Sequence, residues 1–175
     1  MIPVKEEQKQ YIETDKTILD ACCGGRMFWF DKADPNCIYI DIRTETHDFG
    51  KSGTCKISPD ILADFRDLPF RDETFYHIVF DPPHLTELHQ KNTWLEKKYG
   101  ILSFGWRQHI KQGFNECWRV LKHGGTLVFK WNEICVPLKE VIQLAPTKPI
   151  YGNRQPHKSK THWITFFKEP QTQLL

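Results

Sequence analysis

The sequence has no long apolar run and no leader-like start. None of its apolar stretches approaches the roughly 18 residues needed to cross a bilayer, so we expect no transmembrane segment. The first residues, 1–7, lack the apolar core of a signal peptide. Both features favour a cytoplasmic protein that makes no membrane contact.

The chain also lacks a strong charge of either sign. It has 24 lysines and arginines against 22 acids, a formal net charge of +2 over 175 residues. This balance neither indicates nor excludes a nucleic-acid partner, because a local basic face can exist within a balanced total. Charged residues (26%) and apolar residues (39%) occur in the proportions of a globular protein, and the length predicts one domain.

Signatures of disulfides and of metal sites are missing as well. The six cysteines, at positions 22, 23, 37, 55, 117 and 135, contain no Cys-x-x-Cys pair. Without a signal peptide, free thiols are favoured over a disulfide framework. One set of side chains offers metal-ligand chemistry, but its spacing fits no zinc pattern, so we expect no metal. That set is His47, His77, His84, His89, Cys22 and Cys23.

What the sequence does contain is a buried strand that stops at a carboxylate. Residues 75–80 are mostly apolar and aromatic, and Asp81-Pro82-Pro83-His84 follows. Because proline cannot donate to a sheet, Asp81 should lie at the carboxyl end of this strand, where open α/β sheets bind ligands. His84 should lie at the lip of the same cleft. This arrangement suits the binding of a planar amino group.

Three further apolar runs also close on an acid. They end at Asp20, Asp41 and Asp64, and each is short enough to be a strand. Together with the run before Asp81, they predict four acids along one edge of a parallel sheet. Any one of these acids alone is compatible with a solvated loop. Asp41 follows Asp20 by 21 positions, a spacing suited to binding the ribose hydroxyls of a nucleoside.

A glycine turn follows the first of these runs. Residues 22–26 lead into 27–30, which we predict to begin a helix. Strand, glycine turn and helix are the layout of a nucleotide-binding unit, in which N–H groups at the helix start face the ligand. The turn lacks the full Gly-x-Gly-x-x-Gly pattern, so alone it also fits an ordinary strand-to-helix connection.

These residues resemble the class I S-adenosylmethionine-dependent methyltransferases over residues 17–131. Asp81–His84 resembles the Asp/Asn-Pro-Pro-aromatic tetrapeptide of the members that methylate amino groups. The resemblance implies an α/β, single-domain, Rossmann-like fold. Its sheet would be seven-stranded and mostly parallel, with helices on both faces and an antiparallel last strand. It also implies S-adenosyl-L-methionine as the cofactor.

The resemblance further implies roles for individual residues. Asp20 and Gly24 would belong to the motif around the methionine part, Asp41 would bind ribose, and Asp64 would bind the adenine amino group beside Phe65. The implied catalytic residues are Asp81, Pro82, Pro83 and His84. The implied cofactor-binding residues are Asp20, Cys22, Gly24, Asp41, Ile42, Asp64, Phe65 and Asp81.

Two residues depart from the family's pattern. Arg26 stands where a small residue is usual, which leaves the path of the glycine turn open. His84 replaces the usual Tyr, Phe or Trp, which leaves the substrate class open.

The segments after the Asp-Pro-Pro motif offer substrate contacts. Residues 84–103 are interpreted as a lid or substrate loop, in which basic residues and Trp94 suit a nucleic-acid strand. The alternative is a solvated loop with an aromatic anchor. Residues 151–160, with Arg154, suit phosphate contact or form a solvated hairpin turn. The candidate substrate-binding residues are His84, Trp94 and Arg154.

The remaining pattern predicts two helices and two strands. Spacings of three and four indicate a helix over 104–121, followed by a strand over 126–131, a short helix over 137–144 and a last strand over 161–168. The organisation expected is an N-terminal arm (1–15), a methyltransferase domain (16–169) and a tail (170–175).

The favoured function is methyl transfer to an exocyclic amine of a nucleic-acid base, adenine N6 or cytosine N4. A small-molecule or protein methyltransferase on the same fold, or an inactive S-adenosylmethionine-binding protein, are the alternatives. The chain offers no room for a separate target-recognition domain, so a single strand or a flipped base of DNA or RNA is the expected partner. The sequence does not indicate an oligomeric state.

Overall fold

The computed structural model describes residues 10–87, 94–153 and 160–171. In chain order, the described elements are β1 (Ile18–Asp20), β2 (Cys37–Asp41), β3 (Glu45–Asp48), β4 (Thr54–Ile57), β5 (Ile61–Leu62), β6 (Phe75–Phe80), α1 (Trp94–Tyr99), α2 (Trp106–Val120), β7 (Leu121–Asn132), α3 (Leu138–Ile142), β8 (Tyr151–Gly152) and β9 (Thr161–Phe167).

Seven of the strands form one sheet in the order β5-β2-β1-β6-β7-β9-β8. The pairs from β5 to β7 are all parallel, whereas β9 is antiparallel to both β7 and β8. The predicted Rossmann-like, mostly parallel sheet of seven strands with an antiparallel last strand is therefore confirmed. The antiparallel β9 is not an edge strand, because the short β8 pairs with its outer side.

The order of the parallel strands creates a switch point between β1 and β6. From β1 the chain builds outward through β2 and β5, then returns to the other side of β1 to place β6 and β7. Neighbouring connections therefore diverge at the carboxyl ends of β1 and β6. Open α/β sheets bind their ligands in the crevice that forms at such a point.

The main core lies between the sheet and α2. The apolar stripe of this helix buries Ile110, Phe114, Cys117 and Val120. The Phe114 ring packs against Phe80, Phe129 and Phe166, with centroids 4.8–5.8 Å apart. Burial of each such ring contributes about 1.5–3 kcal/mol to stability.

Close packing of α2 on the sheet requires a glycine. A Cβ atom at Gly113 would lie 2.6 Å from both the Phe65 and Phe80 rings. The helix can therefore approach β6 only where no side chain separates them.

The helix predicted to begin at residues 27–30 does not form. Residues 21–36 make consecutive turns instead. Asp31 and Asp34 accept hydrogen bonds from backbone N–H groups two residues further on, at 2.9 Å, which stabilises turns over helix. Arg26 takes a left-handed backbone conformation with φ of 51°. The prediction was wrong because these local side-chain bonds compete with the helical ones.

A β-hairpin stands apart from the main sheet and was not predicted. Strands β3 and β4 pair only with each other, from Glu45 opposite Ile57 to Asp48 opposite Thr54. Glycines at 50 and 53, with φ of 60° and 84°, close its tip. Ile57 is fully buried, so the hairpin is anchored to the body of the protein.

Among the described residues, no helix has the length and apolarity to span a bilayer.

Candidate functional site

A cavity of about 470 Å³ opens at the carboxyl ends of the parallel strands. One wall is the turn after β1, another is formed by residues that follow β2, β5 and β6, and the roof is residues 95–101. A volume of this size is within the range of small-molecule and cofactor sites. The residues that the sequence singled out and that line it are Cys22, Gly24, Asp41, Ile42, Phe65, Asp81, Pro82, Pro83 and His84.

Asp81 lies at the end of β6 and is paired with Lys130. Because Phe80 is opposite Phe129 in the parallel pair β6–β7, the next residues of the two strands lie side by side. Lys130 Nζ donates to Asp81 Oδ2 at 2.5 Å, and both side chains are less than one-fifth exposed. Burial raises the pKa of Asp81, and the ammonium of Lys130 opposes that rise.

Lys130 is a site residue that the sequence analysis missed. It lines the cavity, and its ammonium lies 5.4 Å from the ring centroid of Phe28 and 5.7 Å from that of Trp163. The sequence feature that could have identified it is the single charged residue in the apolar strand predicted over 126–131. A cation at such a position is rarely buried without a partner.

His84 follows the two prolines at the wall of the cavity. Its ring lies 5.4 Å from the centroid of Tyr99 and 6.4 Å, edge-on, from that of Trp131. Burial, with a smaller contribution from Lys130, lowers the pKa of His84 to about 4. The imidazole is therefore neutral at pH 7 and offers a flat face and one N–H donor.

Residues 95–101 close over the prolines. Leu102 N–H donates to the Leu85 carbonyl at 2.8 Å, and a Cβ atom at Gly100 would lie 3.2 Å from Pro83 Cγ. Tyr99 lines the cavity beside His84. These contacts place the end of α1 over the cleft.

Asp41 lies at the end of β2 and is nine-tenths buried. Its Oδ2 accepts the Gly24 N–H at 3.0 Å, and its Oδ1 accepts both the N–H and Nε of Arg43 at 3.0 and 3.2 Å. A carboxylate has about four acceptor positions, and among the described residues Oδ2 accepts only the Gly24 N–H, so it can also accept a hydroxyl. Asp41 thus joins the glycine turn to the cavity and retains capacity for a ligand.

Asp20 lies at the end of β1 but does not line the cavity. It is fully buried, and its Oδ2 accepts the indole N–H of Trp29 at 2.7 Å while Oδ1 accepts the Cys22 N–H at 3.2 Å. Burial raises the pKa of Asp20 to about 7, although the bond from Trp29 works in the opposite direction. In this position Asp20 shapes the glycine turn from beneath.

Asp64 lies two residues beyond β5 and does not line the cavity. Its two oxygens accept Nε and Nη2 of Arg66 at 2.5–3.0 Å, and Oδ1 also accepts the Arg66 N–H at 2.8 Å. Burial raises the pKa of Asp64, but these bonds outweigh it and hold that pKa below its usual value. The adjacent Ala63 and Phe65 do line the cavity.

Of the two other candidate substrate contacts, the structure describes one. Trp94 begins α1, is 57% exposed and is outside the cavity lining. Arg154 falls outside the described residues, as does most of the loop 151–160. Arg26 is also outside the lining: its guanidinium stacks 3.7 Å from the Tyr39 centroid and bonds to Asp60 at 2.8 Å.

The sequence matches no protein-family model and no curated protein. The structure, however, is similar to solved structures. The PH0226 protein of Pyrococcus horikoshii superposes with a TM-score of 0.59 at 16% identity, over 91% of this chain and 84% of that one. The N-methyltransferase NodS of Bradyrhizobium japonicum gives 0.54 at 14% identity, over 89% and 86%.

A SAM-dependent methyltransferase of Leishmania major gives a TM-score of 0.51 at 12% identity. The match covers 86% of this chain but 64% of that protein. At these identities the comparisons bear on the fold alone. The chain has the Rossmann-like fold that S-adenosylmethionine-dependent methyltransferases share.

Proposed function

We propose that the protein is an S-adenosylmethionine-dependent methyltransferase that methylates an exocyclic amine of a nucleic-acid base, adenine N6 or cytosine N4. One observation carries the proposal. A single cavity joins Asp41 and the glycine turn at one end to Asp81-Pro82-Pro83-His84 at the other. A donor site and an acceptor site would therefore share one crevice at the switch point of the sheet.

The cofactor end of the cavity has groups that fit S-adenosylmethionine. Asp41 Oδ2 retains an acceptor position for a ribose hydroxyl, and Ala63 and Phe65 offer apolar surface for adenine. Gly24, with φ of 48° and open space around its α-carbon, leaves room for the methionine part. When bound, the cofactor supplies a methyl group on a positively charged sulfur.

At the acceptor end, the chain's own groups can hold and activate an aromatic amine. The lone pair of such an amine is delocalised into its ring, so the nitrogen is a weak nucleophile. Asp81 Oδ and the Pro82 carbonyl would accept the two amine hydrogens, which favours a pyramidal nitrogen with an available lone pair. The His84 face would stack on the base, since the ring is neutral at pH 7.

The amine must lose one proton when its nitrogen gains the methyl group. Asp81 is one candidate acceptor of that proton, and solvent water is the other. Lys130 makes Asp81 a weaker base, because the ammonium stabilises the ionised carboxylate and so lowers its affinity for a proton. Exclusion of water by residues 95–101 would strengthen every polar contact in the site.

Nucleoside mass spectrometry of cells with and without the protein tests the proposal, combined with transfer of labelled methyl to purified DNA and RNA. We expect a new N-methyl adenine or cytosine that disappears in Asp81→Ala. Label transferred only to metabolites or proteins would favour the alternative substrates on this fold. Cofactor binding without any transfer would favour an inactive binding protein.

A further inference from the structure

A second, more polar cavity of about 690 Å³ adjoins the first. It runs between the turn at residues 25–27 and the hairpin of β3 and β4. Gly25, Met27 and Lys98 line both cavities, so the two spaces meet at one mouth. We call this second space the hairpin groove.

The lining of the hairpin groove is basic. It contains Arg26, Lys32, Lys56 and Lys98 against one carboxylate, Asp60. Asp60 is already bonded to Arg26 at 2.8 Å. Among the described residues, the three lysines form no ion pair, and they concentrate positive charge in a protein whose net charge is only +2.

One aromatic ring lines the same groove, and two more contact that ring. Phe49 lines it; its ring centroid lies 6.1 Å from that of the stacked His47 and 6.5 Å from that of Trp94, in an edge-to-face arrangement. Trp94 is more than half exposed. Lysines interleaved with accessible rings are the arrangement by which proteins hold the phosphates of a strand and stack its bases.

We infer that the hairpin groove binds the sugar–phosphate backbone of a single-stranded nucleic acid, one base of which enters the cavity beside Asp81 and His84. The inference rests on the proposed function and names the form of its substrate. A single strand is favoured over a duplex because its bases are free to stack on Phe49 and Trp94. A duplex would also require unstacking and flipping of the target base, at a cost of a few kcal/mol.

Fluorescence anisotropy with a short labelled single-stranded DNA, and with the RNA of the same sequence, tests the inference. If the three lysines neutralise three phosphates, wild-type affinity should fall about 20-fold between about 50 and 200 mM salt. The double variant Lys32→Gln/Lys56→Gln should fall only about 3-fold over the same range. Lys32→Arg/Lys56→Arg should keep the wild-type salt dependence.

The matched control is Lys111→Gln/Lys139→Gln, which removes the same charge from exposed positions on α2 and α3. It should behave as wild type. Thermal melting confirms that each variant is folded, and S-adenosylmethionine calorimetry reports separately on the cofactor site. Poly-glutamate added as a competitor distinguishes a nucleic-acid groove from one for acidic polypeptides.

Equal salt dependence of strand affinity in wild type and in Lys32→Gln/Lys56→Gln would overturn the inference. A reduced salt dependence in the control Lys111→Gln/Lys139→Gln would also overturn it, as would poly-glutamate that competes as well as a nucleic-acid strand. Methyl transfer to a base that survives this result would leave the proposed function standing. Strand binding through the two lysines without any methyl transfer would support the groove and contradict the proposed function. The DNA and RNA arms identify which strand is preferred.

Discussion

Lys130 Nζ lies 2.5 Å from Asp81 Oδ2, across the parallel pair of β6 and β7. The pair couples the first residue of the Asp-Pro-Pro motif to a strand some fifty residues further along the chain. It places a cation where the proposed mechanism requires an acceptor, so the substrate amine and Lys130 would share one carboxylate. Replacement of either member of this pair should have a distinct, measurable effect.

Replacement of Asp81 by alanine should lower methyl transfer by at least about 100-fold, because it removes an acceptor aimed at the reacting amine. Cofactor affinity should change little, since Asp41 and the glycine turn are intact. Labelled methyl transfer and S-adenosylmethionine calorimetry measure the two effects. Asp15→Ala, at an exposed position, is the control. Full activity in Asp81→Ala would eliminate the proposed mechanism.

Replacement of Lys130 by methionine should destabilise the protein in a pH-dependent way. Without the ammonium, the pKa of Asp81 rises further above its value in the unfolded chain. A raised carboxyl pKa does not lower the free energy of unfolding at pH values below the pKa in the unfolded chain. The loss of stability grows as pH rises from that pKa to the pKa in the folded protein. We expect a small deficit near pH 4 and about 1–3 kcal/mol near pH 7, since the pair is mostly but not fully buried.

Thermal unfolding across pH measures this deficit. Asp81→Asn/Lys130→Met should recover much of the stability, because no uncompensated charge remains. A deficit in Lys130→Met that is the same at pH 4 and pH 7 would indicate lost packing against Phe28 and Trp163 rather than a lost ion pair.

His84 should make the protein sensitive to mild acid. Its pKa falls from 6.5 in the unfolded chain to about 4 in the fold, so its neutral form is favoured by folding. The contribution of neutral His84 to the free energy of unfolding is complete at pH values above the pKa of the unfolded chain. This contribution, at most about 3 kcal/mol, is lost as pH falls from about 6.5 to about 4. His84→Phe should lose less stability over that window in denaturant titrations.

The same His84→Phe variant also distinguishes stacking from proton transfer. A neutral ring that stacks on a base can be replaced by phenylalanine, so methyl transfer near pH 7.5 should stay within about 3-fold of wild type. His84→Ala should lose about 10-fold or more, because it removes the stacking surface. A large loss in His84→Phe with retained cofactor affinity would mean that a ring nitrogen takes part in the reaction.

Asp41 and Asp64 should differ in cofactor binding, although both follow strands at the same edge. Asp41→Ala removes an open acceptor and the anchor of Gly24, so S-adenosylmethionine affinity should fall about 10-fold or more. Asp64→Ala should change it less than about 3-fold, because Arg66 already occupies the Asp64 oxygens. Calorimetry measures the S-adenosylmethionine affinity of both variants. Equal losses would mean that Arg66 releases Asp64 when the cofactor binds.

The elements with local signals could be predicted from the order of the amino acids alone. β6 appears at residues 75–80 as predicted, because an apolar run is ended by two prolines that cannot continue the ladder. Residues 106–120 form α2 because apolar side chains at spacings of three and four require one buried face. Four acids after apolar runs do lie along one edge of the sheet, as parallel strands dictate.

The partners of those acids, in contrast, became visible only in the folded protein. Asp20 turns to the indole of Trp29 and Asp64 to Arg66, while Asp41 and Asp81 line the cavity. Lys130 became a partner of Asp81 through the register of two strands, which no local pattern encodes. The turns that replaced the predicted helix and the separate hairpin arose in the same way. The direction of a side chain depends on partners distant in sequence, and the fold brings those partners together.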